Sequence, residues 1–216
     1  MKKGLTELVF ILDKSGSMGG LESDTIGGFN SMLEKQKTEP GEAIVTTVLF
    51  DHGYKLLHDR SDIQAISPIT DKEYQVGGYT ALIDAIGQTI QKTKNAQKHI
   101  AEDHRPEKTL FVIITDGEEN SSREYTAERV KAQIEHQKEK YGWEFIFLGA
   151  NIDAVETAGR FGIDAANAQN YHADGIGISA VWFGLPIAMS TYREMGRIGK
   201  SWKDIIANDF DNREKE

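Results

Sequence analysis

Residues Leu8–Leu12, reading LVFIL, form an unbroken apolar run that stops at Asp13 and passes at once into Lys14-Ser15-Gly16-Ser17. The run is rich in β-branched and aromatic residues and shows no polar alternation, the pattern of a strand covered on both faces in a mostly parallel sheet. Such a strand needs helices above and below it and therefore a layered α/β fold. In open α/β sheets ligands bind beyond the carboxyl ends of the strands. A carboxylate and two hydroxyls on a glycine-containing turn at that end are thus a candidate site. By itself Asp-x-Ser-x-Ser is a weak motif, since a solvated turn with a capping serine reads the same way.

The rest of the chain supplies the missing layers. Glu22–Lys37 carries Ile26, Phe29 and Leu33 at helical spacing and ends before Pro40-Gly41. Ala43–Phe50 reads as a strand, Asp51-His52-Gly53 as a hairpin turn and Tyr54–Asp59 as the returning antiparallel strand at an edge. Ser61–Val76 reads as a connection. Thr80 is the expected N-cap of a helix with Leu82, Ala85, Ile86, Thr89 and Ile90 as its stripe, fraying over Lys92–Arg105. Thr109–Thr115 reads as the fourth strand. Thr126 caps a helix running to Tyr141 with Gly142 as its stop, and Trp143–Leu148 is the next strand. Asn151–Phe161 reads as a helix, Asn170–His172 as a short last strand, and Gly175–Gly196 as a helix that Pro186 breaks or bends. Trp182, Phe183 and Met189 are expected in the core, and Asp209–Glu216 is expected to fray.

Composition narrows the partners. The 216-residue chain has a net charge of −9, which disfavours nucleic acid and an anionic bilayer. It has no cysteine, so disulfides and soft-metal thiolate sites are excluded. The six histidines show no paired ligand spacing. Met1-Lys2-Lys3 and the following run imitate a signal peptide, but the run is short and Asp13-Lys14 cuts it. No stretch reads as the ~20 apolar residues of a membrane span. The expectation is a cytoplasmic protein.

Two further stretches give the first motif its meaning: Gly77-Gly78-Tyr79-Thr80-Ala81-Leu82, and Leu110–Gly117, an apolar run ending in Thr115-Asp116-Gly117. With them the chain resembles the von Willebrand factor A domain family, closely over Glu7–Ala150 and loosely over Asn151–Gly196. The resemblance implies a Rossmann-like, three-layer αβα fold: a mostly parallel central sheet, one antiparallel edge strand and helices on both faces. It places the domain at residues 5–200 and leaves 201–216 as a C-terminal tail.

It also implies a metal-ion-dependent adhesion site made of Asp13, Ser15, Ser17, Thr80 and Asp116. In the family the serines bind directly, the threonine directly or through water according to conformation, and the aspartates often through water. The two glycines before Thr80 predict a loop free to make that exchange. An all-oxygen donor set suits a hard cation, Mg²⁺ before Ca²⁺ because few protein groups converge, with Mn²⁺ as a substitute. A cation held largely by neutral groups keeps an appetite for an anion, so the implied partner is a protein offering a Glu or Asp. Glu118, Glu119 and Asn120 read as solvated loop residues, and Asp51 and Asp153 as a turn residue and a helix cap.

A second class of function, a Mg²⁺-dependent hydrolase such as a phosphatase, competes with the binding module. Against it, Ser15 stands where haloacid-dehalogenase-type phosphatases place their second Asp, and no Gly-x-x-x-x-Gly-Lys-Ser/Thr loop exists. An adaptor for an ATPase machine is a special case of the binding module. Oligomeric state has no signature here.

Overall fold

The computed structural model describes residues 1–213. Its strands are β1 (Lys2–Asp13), β2 (Glu42–Phe50), β3 (Tyr54–Asp62), β4 (Pro106–Thr115), β5 (Glu144–Gly149) and β6 (Ala168–Asn170). They form one sheet in the order β3-β2-β1-β4-β5-β6. Every pairing is parallel except β2 with β3, which is antiparallel, so β3 is the antiparallel edge strand.

The apolar runs are continuous because alternate residues serve opposite faces. Leu8, Phe10 and Leu12 of β1, with Leu110, Val112 and Ile114 of β4, join one core with α1 (Glu22–Lys37) and α5 (Gly175–Met195). Val9, Ile11, Phe111 and Ile113 join the other with α2 (Leu82–Lys98), α3 (Ala127–Tyr141) and α4 (Ala154–Arg160). The period of two along each strand thus builds two cores, and the three-layer αβα architecture expected from the sequence is present.

Several local expectations are met at atomic detail. The Thr126 hydroxyl accepts from the Arg129 N–H, and Gly142 closes α3 in the left-handed conformation at φ +65°. Asp153 caps α4 through the Glu156 N–H. Others are corrected. Ala81, not Thr80, precedes the first residue of α2 and makes no side-chain cap. Instead of fraying at Lys92, α2 continues to Lys98. The last strand lies at Ala168–Asn170, two residues earlier than expected, beside Phe147–Gly149 of β5.

Pro186 does not break α5, which runs unbroken for 21 residues. Proline has no N–H to give the carbonyl of Trp182 one turn back, but it is buried, between the core residues Leu185 and Ala188, and packing of the helix offsets that lost bond. Contrary to the expectation that no stretch reads as a membrane span, this helix is long and apolar enough to cross one, and 61% of its apolar window is buried inside the fold. Trp182 and Met189 are buried as expected, whereas Phe183 is 66% exposed because it points away from the sheet. The expected tail is largely ordered: α6 (Trp202–Arg213) packs on α5 and buries Trp202 and Ile206. Residues 214–216 of the segment expected to fray lie outside the described residues.

The start of α5 is unusually tight. A Cβ on Gly177 would sit 2.1 Å from the carbonyl oxygen of His172. Alanine gains about 1 kcal/mol of helix propensity over glycine, but a clash with main chain cannot be relieved by a rotamer change and costs about 1–3 kcal/mol or more. Gly177→Ala should therefore lower the urea midpoint. An unchanged or raised midpoint would refute the close approach.

Candidate metal centre

The crossover that places β1 between β2 and β4 brings their carboxyl ends together. Leu12 pairs with Ile114, so Asp13 and Asp116 emerge from neighbouring strands at one end of the sheet. This is a topological switch point, since the chain winds from β1 to β2 on one side and reaches β4 on the other. The loop that opens α2 delivers Thr80 to the same end.

Asp13 is nearly fully buried and hydrogen-bonded on both oxygens. Its Oδ1 accepts the Ser15 N–H at 2.7 Å and its Oδ2 accepts the Thr115 hydroxyl at 2.6 Å. The turn after it is thereby folded so that Ser15 Oγ stands 3.1 Å from Ser17 Oγ, and Ser17 Oγ donates to Asp116 Oδ1 at 2.6 Å. A Cβ placed on Gly117 would lie 3.2 Å from Ser17 Oγ and 3.7 Å from Thr80 Oγ1. The bare glycine therefore lets the Thr80 and Ser17 hydroxyls face the same small space. Asp13, Ser15, Thr80 and Asp116 are buried, while Ser17 is exposed and marks the mouth.

The electrostatics are unbalanced. Burial pushes the Asp13 carboxyl up despite its hydrogen bonds. Burial, opposed by the Ser17 hydrogen bond and reinforced by the Asp13 charge, pushes Asp116 up to about 6. Asp116 Oδ2 is buried and has no hydrogen-bond partner among the described residues. Lys14, the cation inside the motif, is turned away and pairs with Asp51. Two buried carboxylates, one with an orphan oxygen, beside three hydroxyls are a donor set that fits a small hard cation. Among the described residues no group of three or more His, Cys, Asp or Glu is gathered to hold a metal. The mixed hydroxyl and carboxylate chemistry is what distinguishes this place.

Supporting residues had no signature in the sequence. Tyr74 donates its hydroxyl to the Asp13 carbonyl and Tyr171 to the Thr115 carbonyl, both from buried positions. Asn151, at φ +55°, donates its amide to the Asp116 carbonyl at 3.0 Å. Asn120 is exposed, as expected of a solvated loop residue, and Glu119 is half-buried; both are also bonded to the segment that opens α2. Glu119 accepts the Ile83 N–H at 2.8 Å and Asn120 Oδ1 accepts the Thr80 N–H at 2.9 Å. Glu118 is exposed, and so is Tyr79, at 70%. Polar loop residues look alike in one dimension, so none of these roles could be read from spacing.

The structure has counterparts of known fold. Proximal thread matrix protein 1 from the mussel byssus is 14% identical with a TM-score of 0.56, covering 85% of this chain and 45% of that one. The chain thus spans less than half the length of that protein. The manganese-loaded TRAP protein of Plasmodium vivax is 19% identical with a TM-score of 0.59, covering 83% of this chain and 72% of that one. No curated protein sequence matches the chain. The sequence profile described as the von Willebrand factor type A domain matches residues 7–175. With more than half its length matched and the sheet order, edge strand and helical layers in place, the chain belongs to the von Willebrand factor type A domain family, generally modules of protein interaction and adhesion.

Proposed function

We propose that this chain is a metal-dependent protein-binding module, and that Asp13, Ser15, Ser17, Thr80 and Asp116 hold a divalent cation to which a partner protein brings a Glu or Asp. The observation that carries the reading is the Asp116 carboxylate, whose Oδ1 accepts from Ser17 while its buried Oδ2 has no hydrogen-bond partner among the described residues, in a loop that the Ser17 and Thr80 hydroxyls both approach. A buried carboxylate oxygen without a donor is costly unless a positive charge meets it. When bound, the cation supplies a Lewis-acidic contact for an anionic side chain.

The chain's own residues do the rest. Ser15 and Ser17 are oriented by the turn that Asp13 ties down, and Ser17 stands at the open mouth where a partner arrives. The neutral hydroxyls limit the negative charge around the cation, which keeps it attractive to a carboxylate. Mg²⁺ is the favoured ion because two carboxylates and three hydroxyls are few donors for Ca²⁺. That the Plasmodium vivax TRAP protein was crystallised loaded with manganese supports Mn²⁺ as a usable probe. The module has no chemistry of its own in this reading and works in the cytoplasm.

Calorimetry of Mn²⁺ against metal-stripped protein tests the centre. Asp116→Ala should weaken binding by at least the roughly 100-fold at the upper end of the range for supporting residues around metals. Equal affinity in the variant and the parent would remove Asp116 from the centre. Capture of proteins from lysate in Mg²⁺, compared with EDTA, should give partners that depend on both the metal and Asp116. A steady turnover of a generic phosphate ester lost in Asp13→Asn would overturn the binding reading.

A further inference from the structure

Two adjacent glycines before Thr80 suggest a loop that swings, yet the structure fastens that loop on both sides. Toward the first motif, the Gly77 N–H donates to the Lys14 carbonyl at 2.9 Å and the Gly16 N–H to the Gly78 carbonyl at 3.1 Å. Toward the last motif, Asn120 grips the Thr80 peptide at both ends. Its Oδ1 accepts the Thr80 N–H at 2.9 Å, and its own N–H donates to the Thr80 carbonyl at 3.0 Å.

The same two segments are laced together just beyond. Glu119 accepts the N–H groups of Ile83, Ser121 and Ser122 at 2.8, 2.9 and 2.7 Å. In return, Asp84 of α2 accepts the N–H groups of Arg123, Glu124 and Tyr125 at 2.7, 2.9 and 2.8 Å. The Asp84 N–H donates to Ser122 Oγ at 3.0 Å. Each segment thus satisfies main-chain donors of the other that would otherwise need water. Asn120 is the member of this lacing that touches Thr80 itself, and only three residues separate it from Asp116.

We propose that Asn120 is a positioning residue of the centre: through its two-point hold on the Thr80 peptide it couples Thr80 to the Asp116 loop, so that the two halves are assembled before a cation arrives. The inference rests on the reading of Thr80 and Asp116 as metal ligands. It differs from the expectation of a freely exchanging threonine, because moving Thr80 relative to Asp116 requires breaking this hold. Preorganisation of this kind is carried by residues one step behind the ligands.

A double-mutant cycle in Mn²⁺ affinity tests it, with parent, Asn120→Ala, Thr80→Ala and the pair. Asn120→Ala removes the side-chain half of the hold and should weaken Mn²⁺ by about 10-fold or more. In the Thr80→Ala background the same change should add little, since Asn120 acts through Thr80. Asn120→Asp keeps an acceptor for the Thr80 N–H and should recover binding. Full multiplication of the two single effects would mean Asn120 acts elsewhere and would overturn the proposal.

If Thr80→Ala weakens Mn²⁺ and Asn120→Ala does not, the positioning role fails while the metal reading stands. If Thr80→Ala and Asp116→Ala both bind as the parent does, the metal reading itself fails. Should Asn120→Ala not fold, amide exchange in the metal-free parent decides. The Thr80 N–H should be protected, and exchange at the rate of an unstructured amide would refute the hold.

Discussion

Asp116→Asn is expected to make the metal-free protein more stable at neutral pH, and to remove its stabilisation by Mg²⁺. Asp116 is 1% exposed, its Oδ2 lacks a donor among the described residues, and burial with the neighbouring Asp13 charge raises its carboxyl to about 6. A folded-state value above the ordinary 3.8 means that the fold prefers the protonated acid. The associated stability is fully present below about 3.8 and is lost as pH rises through about 6. At one pKa unit per 1.36 kcal/mol, ionised Asp116 costs the metal-free fold about 2–3 kcal/mol at pH 7.5. Asparagine keeps the acceptor that Ser17 uses and carries no charge. In EDTA the variant should therefore melt above the parent at pH 7.5, and the gap should shrink at pH 5. Mg²⁺ should raise the parent's melting temperature, since a ligand bound only to the native state stabilises it by mass action, and leave the variant unmoved. A variant that melts below the parent in EDTA at pH 7.5 would show that the carboxylate is no burden to the empty fold.

Why the first motifs were readable and their supports were not follows from the physics of each. Leu8–Leu12 and Leu110–Ile114 are continuous apolar runs because both faces of a central parallel strand are covered, and burial leaves that mark in composition. The chemistry at their ends is legible because Asp13, Ser15, Ser17 and Asp116 interrupt those runs at fixed places. Thr80 was readable only through resemblance, and its local role was misjudged: the N–H groups opening α2 are met from Glu119 across the sheet end, not by a cap of its own. Asn120, Asn151 and Tyr171 act through carbonyl and amide groups distant in sequence, and such bonds follow from the fold, not from spacing. Phe183 shows the limit of periodicity in an apolar helix. When no charged residue marks the outer face of α5 over Gly175–Tyr192, the stripe that faces the core cannot be told from the one that does not.

The segment after Lys200, set apart as a tail, shows a related limit: charges over Asp209–Arg213 advertise solvent, while Trp202 and Ile206, a turn apart, do the packing. Trp202 is fully buried and Ile206 is 1% exposed, both in the core that contains Phe10, Phe29 and Met189. The approach is close enough that a Cβ on Gly184 of α5 would stand 2.5 Å from the Trp202 carbonyl oxygen. At its other end α6 is held by Phe210, stacked 4.6 Å from the His172 ring, and by Arg213 paired with Asp174, which caps α5, and with Asp209. The core contact should dominate. Trp→Ala in a core costs about 3–5 kcal/mol, a large share of the roughly 5–15 kcal/mol of a whole domain, whereas an exposed ion pair contributes at most about 1 kcal/mol. Trp202→Ala should therefore shift the urea midpoint several times further than Arg213→Ala. Trp202 Nε1 is buried without an acceptor among the described residues, so Trp202→Phe, which deletes that donor and keeps an aromatic ring, should lose much less than alanine does. Urea melts of the three variants decide between the two ends of the helix: equal losses in Trp202→Ala and Arg213→Ala would mean that α6 is held by its terminal contacts and not by the core.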